Sequence, residues 1–313
     1  MYPLPKILAS LILISTVYVC LYCQTKPSTK KVSDKIEITV TTGMIADVVR
    51  NIAQDRAHVQ ALMGAGTDPH LYKATPQDLA YLRKARVIFY NGLHLEGKLS
   101  EILEKVGKTK PAFAVADGLS PQKVMRESGS ADPHIWFDVS LWQEVAQFVG
   151  NKLAEIDTKN ALFYKQNAEK YIGQLAQLHQ EIKVQLAEIP QNQRVLVTAH
   201  DAFGYFGKAY NIEVRGLQGI STMSEYGLKD IADLTDFLAK RRIPAIFVES
   251  SVAPKSLEAV AQGCRQKGHQ VVIGGTLFSD AMGAENTIEG TYIGMVRANV
   301  KTICQALKQN TLK

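Results

Sequence analysis

Past Cys23 the chain has no apolar run long enough to cross a bilayer. It has no His-Glu-x-x-His run, the helix pattern that pairs two zinc ligands with a general base in metallohydrolases. Cysteine is scarce, with four in 313 residues, and Cys264 and Cys304 fall in separate helical patterns that read as two free, buried thiols. A basic stripe is also lacking. The net charge is +6, yet the Lys and Arg residues are interleaved with Asp and Glu and are not studded with aromatics. That distribution argues against a nucleic-acid partner and for a solvated surface.

The first residues differ from the rest. Met1 to Lys6 carries one positive charge, Ile7 to Cys23 carries no charge, and Gln24 to Lys35 is polar. This order reads as a secretory signal, with an uncleaved anchor helix as the alternative. Cys20 and Cys23 close the apolar run, where a bacterial lipoprotein signal places its lipidated cysteine. Cys23 is the stronger candidate because the polar linker begins directly after it, although Tyr18 and Tyr22 stand where small residues are usual. The protein is expected in the periplasm or on the outer face of the cytoplasmic membrane, lipid-anchored and monomeric.

At 313 residues, two lobes are the natural division, each with its own core. The expected segments are 1–23 (signal), 24–35 (linker), 36–158 (N-terminal α/β lobe), 159–190 (a spine helix) and 191–313 (C-terminal α/β lobe). Strands are expected at Ile36–Thr41, Val59–Met63, Val87–Tyr90 and Phe113–Ala116, alternating with helices at Met44–Ala53, Thr75–Lys84 and Leu99–Val106. The second block repeats the alternation. Its strands are Arg194–Thr198, Glu213–Gly216, Ala245–Val248 and Gln270–Ile273, and its helices Leu228–Arg241, Lys255–Lys267 and Thr291–Lys308. Apolar strands separated by helices imply an α/β fold of mainly parallel sheets flanked by helices. Between the blocks, Tyr164, Ala168, Tyr171, Leu175, Leu178, Ile182, Leu186 and Ile189 step by three or four. This is one stripe along a helix from about Asn160 to Ile189, roughly 45 Å long at 1.5 Å per residue, with no proline to kink it.

The chemistry concentrates at four positions. Asp-Pro-His occurs twice, at Asp68-Pro69-His70 and Asp132-Pro133-His134. Proline stiffens the backbone before each ring, and the aspartate can fold back on local amides as an Asx turn. His200 follows the strand ending at Thr198, and Asp280 lies in the loop after Ile273. Ligands of open parallel sheets gather at such carboxyl ends. Three imidazoles and one carboxylate are the donors a divalent ion takes in a non-redox site. Four protein donors leave little room for a catalytic water, which favours capture over hydrolysis. Glu249 at a strand end either orients a ligand histidine or caps the next helix. The remaining histidines carry local readings. His58 and His179 read as surface residues, His269 as a turn residue on the edge away from the cleft, and His94 as part of a polar loop with Glu96 as a local contact.

The segments around these positions resemble the TroA-like metal-binding solute-binding proteins, the receptors of bacterial zinc, manganese and iron ABC importers. Thr67-Asp68-Pro69-His70, Asp132-Pro133-His134-Ile135-Trp136-Phe137-Asp138 and Leu196-Val197-Thr198-Ala199-His200-Asp201-Ala202-Phe203-Gly204-Tyr205-Phe206 are similar to the family's first three ligand segments. Gly219-Ile220-Ser221-Thr222, Ile246-Phe247-Val248-Glu249-Ser250-Ser251 and Leu277-Phe278-Ser279-Asp280-Ala281-Met282-Gly283 follow in the family's order. The resemblance implies two lobes joined by one long rigid helix, with zinc or manganese, or iron, held in the cleft by His70, His134, His200 and Asp280. It further implies delivery to a membrane permease driven by a cytoplasmic ATPase. The long His-rich loop frequent in zinc-preferring members is absent, since Gly118 to Ala131 has no histidine, and His200 stands where manganese-preferring members often carry glutamate. The competing readings are an exported zinc hydrolase, a metal-stabilised adhesin or structural lipoprotein, and a haem or siderophore binder.

Overall fold

Alternation of short β-branched strands with amphipathic helices builds the N-terminal lobe of the computed structural model, which describes residues 35–127 and 129–308. Strands β1 (Ile36–Val40), β2 (Ala57–Ala61), β3 (Val87–Tyr90) and β4 (Ala112–Ala114) form a parallel sheet in the order β2-β1-β3-β4. Helices α1 (Gly43–Ala53), α2 (Pro76–Lys84) and α3 (Leu99–Gly107) make the crossovers. Helix α2 starts where the sequence supplies a full capping box. Thr75 Oγ1 accepts the Asp78 N–H, Asp78 Oδ2 accepts the Thr75 N–H, and Pro76 occupies the first turn where no N–H is needed. A short antiparallel pair, β5 (Arg126–Glu127) and β6 (Ser130–Ala131), follows the sheet.

Helix α4 (Val139–Ile156) was not expected from the sequence. Its signals are present: Asp138 accepts the Ser140 N–H as N-cap, and Leu141, Val145, Val149 and Leu153 form a buried stripe. Helix α5 (Ala161–Ala187) is the spine, about 40 Å long. Seven of its eight expected stripe positions, Tyr164 to Leu186, are its buried residues; Ile189, also buried, lies just past its end. It packs on α4, on α1 and on α9 (Tyr292–Lys308), so it joins two lobes.

The C-terminal lobe pairs β7 (Val195–His200) with β8 (Glu213–Gln218), and β9 (Ala245–Glu249) with β10 (Val272–Leu277), all in parallel. Between them run α6 (Gly204–Tyr210), another helix not expected from the sequence, α7 (Leu228–Arg241) and α8 (Lys255–Gln266). Every residue of β7 is buried, the pattern of a strand covered on both faces.

Two expectations change in detail. The strand expected to stop at Ile273 runs on to Leu277, because Gly274-Gly275 is a bulge in the β9 ladder and not a terminator. A side chain at Gly274 would meet Ala306 Cβ at 2.6 Å, and one at Gly275, whose φ is +145°, would meet Thr302 at 2.6 Å. Close approach of α9 therefore requires both glycines. Nor does each lobe hold a separate core. One apolar cluster runs from Ile38 and Met44 through Leu175 and Leu178 of the spine to Tyr292 and Leu307, and two smaller clusters flank it. Cys264 and Cys304 are free and buried, as expected. Cys20 and Cys23 lie outside the described residues.

Candidate metal centre

The four expected donors come from one strand end and three loops. His70 sits in the turn beyond β2, His134 in the turn before α4, His200 at the last position of β7, and Asp280 in the loop leaving β10. All four are buried, with relative exposures of 4%, 0%, 0% and 2% in that order. Their donor atoms converge within 4.8 Å of one another. Nε2 of His70 is 3.4 Å from Nε2 of His134 and 3.7 Å from Oδ2 of Asp280. Nε2 of His134 is 3.4 Å from Asp280 Oδ1, and Nε2 of His200 is 3.3 Å from Asp280 Oδ2. Four donors at about 2.1 Å from one tetrahedral ion stand about 3.4 Å apart. The spacing fits a shared central atom. Among the described residues neither oxygen of Asp280 and neither ring nitrogen of His200 makes a hydrogen bond of good geometry, although all are buried; their close approaches are to one another and to the His134 ring and Glu249. Buried polar atoms left so weakly paired are costly unless something fills the space between them.

The far side of two rings is held by carboxylates. Asp132 Oδ1 accepts the His134 N–H at 3.0 Å and stands 2.7 Å from ring Nδ1. Glu249 Oε1 accepts the His200 N–H at 2.9 Å, and its Oε2 is 2.7 Å from that ring's Nδ1. Glu249 thus holds the His200 ring and backbone, while Pro254 stands at the N-cap of α8. Asp68 does less than its twin Asp132. It makes the Asx turn, accepting the His70 N–H at 2.8 Å, but its second oxygen accepts the Thr222 hydroxyl.

Contacts between the lobes fix the floor. Trp136 Nε1 donates to Ser279 O at 3.0 Å, beside Asp280, and Tyr292 Oη donates to Trp136 O at 2.6 Å. Asn299 of α9 holds both backbone groups of Phe278. Tyr205 Oη donates to Asp132 O at 3.0 Å and accepts the Met125 N–H. Trp136, Tyr205, Tyr292 and Asn299 carried no individual role in the sequence reading; an amphipathic pattern does not tell a buried donor from a core filler.

The charges are strongly coupled. Burial opposes protonation of His134, but the carboxylates of Asp132 and Asp280 outweigh it and raise its pKa to about 9. Burial acts likewise on His200, whose pKa is carried well above the ordinary value by Asp280 and Glu249. At His70 burial outweighs the more distant Asp280 carboxylate and lowers the pKa to about 4. Burial would raise the pKa of Asp280, but the facing His200 and His134 hold it well below the carboxylate range. Without an ion, the site near neutral pH is a carboxylate facing two imidazolium rings and one neutral imidazole. A divalent cation held by these nitrogens would replace those protons.

The other histidines stay away from this cluster. His58 and His94 are exposed. His179 is half-buried rather than at the surface, because its Nδ1 pairs with Tyr210 Oη at 3.1 Å across α5 and α6. His269 is buried, its Nε2 2.7 Å from Ile243 O. Glu96 is a fully buried local contact that accepts from Thr41 Oγ1 and from the amides of Asn91 and Gly92.

Comparison with known proteins gives a consistent picture. The family described as "ZnuA: Zinc-uptake complex component A periplasmic" matches residues 38–306. The chain is 45% identical over 288 residues to the manganese-binding lipoprotein MntA of Bacillus subtilis (strain 168), covering 91% of this chain and 94% of the relative. It is 46% identical over 271 residues to the zinc-binding protein TroA of Treponema pallidum (strain Nichols), covering 86% and 88%. The solved structure of the periplasmic zinc-binding protein TroA from Treponema pallidum superposes with a TM-score of 0.86 at 45% identity, covering 87% of this chain and 99% of that one.

Proposed function

The chain belongs to the ZnuA family of periplasmic metal-binding proteins, and we propose that it is an extracytoplasmic receptor that captures one divalent transition-metal ion and hands it to an ABC-type importer. The ligands are His70, His134, His200 and Asp280, and the cargo is zinc or manganese. The observation that carries the reading is the convergence of four buried donors within 4.8 Å of one another, with Asp280 oxygens 3.3–3.7 Å from all three imidazole Nε2 atoms. Three imidazoles suit zinc, and the usual affinity order sets manganese below zinc at any N/O site, so availability and the transporter decide which ion is carried. Relatives named for each metal stand at nearly equal identity, 45% and 46%. Four protein donors in a closed pocket favour this role over an exported zinc hydrolase, which keeps an open coordination position. A metal-stabilised adhesin or structural lipoprotein has no need of a site whose donors come from both lobes.

The receptor acts as a monomer beside a membrane permease with a cytoplasmic ATPase, and is organised as an N-terminal lobe to residue 158, a spine at 159–190 and a C-terminal lobe from 191. It is tethered outside the cytoplasmic membrane by lipid at Cys23 or Cys20. Labelled fatty acid should enter the wild type and not the Cys20→Ser/Cys23→Ser double variant; equal labelling of the two would refute the tether. The cargo is tested by elemental analysis of protein purified without added metal, followed by competition among manganese, zinc and iron. One ion per chain, zinc or manganese, is expected. A chain that retains none of the three contradicts the receptor reading.

A further inference from the structure

The two Asp-Pro-His turns share a sequence but not a hydrogen-bond plan. In the second, Asp132 spends one oxygen on both the backbone and the ring of His134. In the first, Asp68 Oδ1 accepts the N–H groups of His70 and Leu71 at 2.8 and 3.4 Å, and Oδ2 accepts the Thr222 hydroxyl at 2.6 Å. Thr222 comes from the other lobe, in the loop that leaves β8. That loop is itself held by Gln218, whose Nε2 donates to Thr222 O at 3.4 Å and Ser224 O at 2.8 Å. Gln218 is the β8 residue paired in register with His200. A continuous run of contacts therefore passes around the outside of the site, from one lobe's ligand His200 through Gln218, Thr222 and Asp68 to the other lobe's ligand His70.

This run lies at the lip. His134 and His200 are fully buried, whereas His70 retains 4% exposure, and its neighbour Leu71 and Thr222's neighbour Met223 are each 56% exposed. His134 and His200 each have a carboxylate at Nδ1, whereas the carboxylate facing the His70 ring is Asp280, at Nε2. The orientation of His70 depends on the turn that Asp68 makes, and Asp68 is shared with the opposite lobe.

We propose that the Thr222–Asp68 hydrogen bond is a latch between the lobes that positions His70 and sets how fast the bound ion escapes. The inference rests on the receptor reading above. Thr222 is a positioning residue that acts through Asp68 and does not touch the ion. A hydroxyl donating to a carboxylate is a charge-assisted bond, stronger than a neutral one. When it breaks, Asp68 is free to turn, His70 loses its fixed backbone, and the 219–225 loop is released from the opposite lip in the same event.

The test is the rate at which Zn2+-loaded protein loses its ion to excess EDTA in a stopped-flow chase. Thr222→Val keeps the shape and removes the donor, and should release zinc on the order of tenfold faster. Thr222→Ser keeps the donor and should restore a rate near that of the wild type. The melting temperature of ion-free Thr222→Val is measured alongside, and should move little. Gln218→Ala removes the hold on Thr222 O and Ser224 O but keeps the Thr222 hydroxyl; it should also speed release, and it stands in should the valine variant fold poorly. Wild-type release rates in both variants, with one zinc still bound per chain, would overturn the latch and leave the receptor reading intact. A wild-type protein that binds no zinc, manganese or iron would overturn the receptor reading, and the latch with it.

Discussion

Glu249 holds His200 at two points: one carboxylate oxygen accepts the main-chain N–H at 2.9 Å, and the other stands 2.7 Å from ring Nδ1. The carboxylate lies on β9 and the histidine ends β7, so two strands of one lobe fix one ring. With Nδ1 so occupied, Nε2 is turned toward Asp280 at 3.3 Å. Such partners set the tautomer and basicity of a metal-binding histidine.

Replacing Glu249 by Gln should therefore weaken ion binding by about ten- to a hundredfold without abolishing it. Competition with a chelator of known affinity measures the loss. Unchanged affinity would show that His200 is oriented by packing alone.

The backbone of His70 leans on Gly97. That glycine has φ of +48°, and a Cβ there would stand 2.4 Å from His70 O. Gly97→Ala must both strain the left-handed turn and push the His70 carbonyl away. An affinity loss of about tenfold or more is expected, with circular dichroism unchanged. Titration calorimetry checks it, and wild-type affinity would show that the turn yields without moving the ring.

Proton release follows from the charges. In the ion-free protein His134, with a pKa near 9, and His200, raised well above the ordinary range, are both protonated at neutral pH. Both must lose a proton to ligate. Binding near pH 7 should then release about two protons per ion, and affinity should fall as pH falls. Calorimetry in buffers of different ionisation enthalpy counts them; a release near zero would contradict the coupled site. The same shifts make a stability prediction with the opposite sign. A histidine whose pKa is raised on folding stabilises the ion-free fold fully below its unfolded value, about 6.5, and that contribution is lost as pH rises through about 9. The stability from depressed Asp280 is present above about pH 4 and is lost on acidification through its folded pKa. The ion-free protein should melt higher near pH 6 than near pH 9, with the ion-bound protein showing the reverse order.

Much of this arrangement is legible in the sequence, for reasons that differ from place to place. The stripe from Tyr164 to Leu186 marks the spine because a helix with one buried face has to repeat at three and four. His70 and His134 stand out because Asp-Pro-His occurs twice, and His200 and Asp280 because each follows a strand of a parallel sheet at its carboxyl end. Gly274-Gly275 misleads, since a glycine pair that ends a strand and one that lets a helix approach it look alike in sequence. The shared core could not be read either. Apolar residues on α1 and α9 show that each has a buried face, but not that both faces join one cluster with α5. The division of labour between Asp68 and Asp132 depends on Thr222, more than 150 residues away in the chain, and identical tripeptides conceal it.

The central claim is that these four side chains hold one ion together, and Asp280 is the donor that faces all three histidines, its oxygens 3.3–3.7 Å from their Nε2 atoms. Equilibrium dialysis of the wild type and Asp280→Ala against zinc and manganese, with elemental analysis of both, is the direct measurement. The wild type should hold one ion per chain, and the variant should lose it at ion concentrations that saturate the wild type, while its circular dichroism stays native. Stoichiometric binding of wild-type strength by Asp280→Ala would contradict the account.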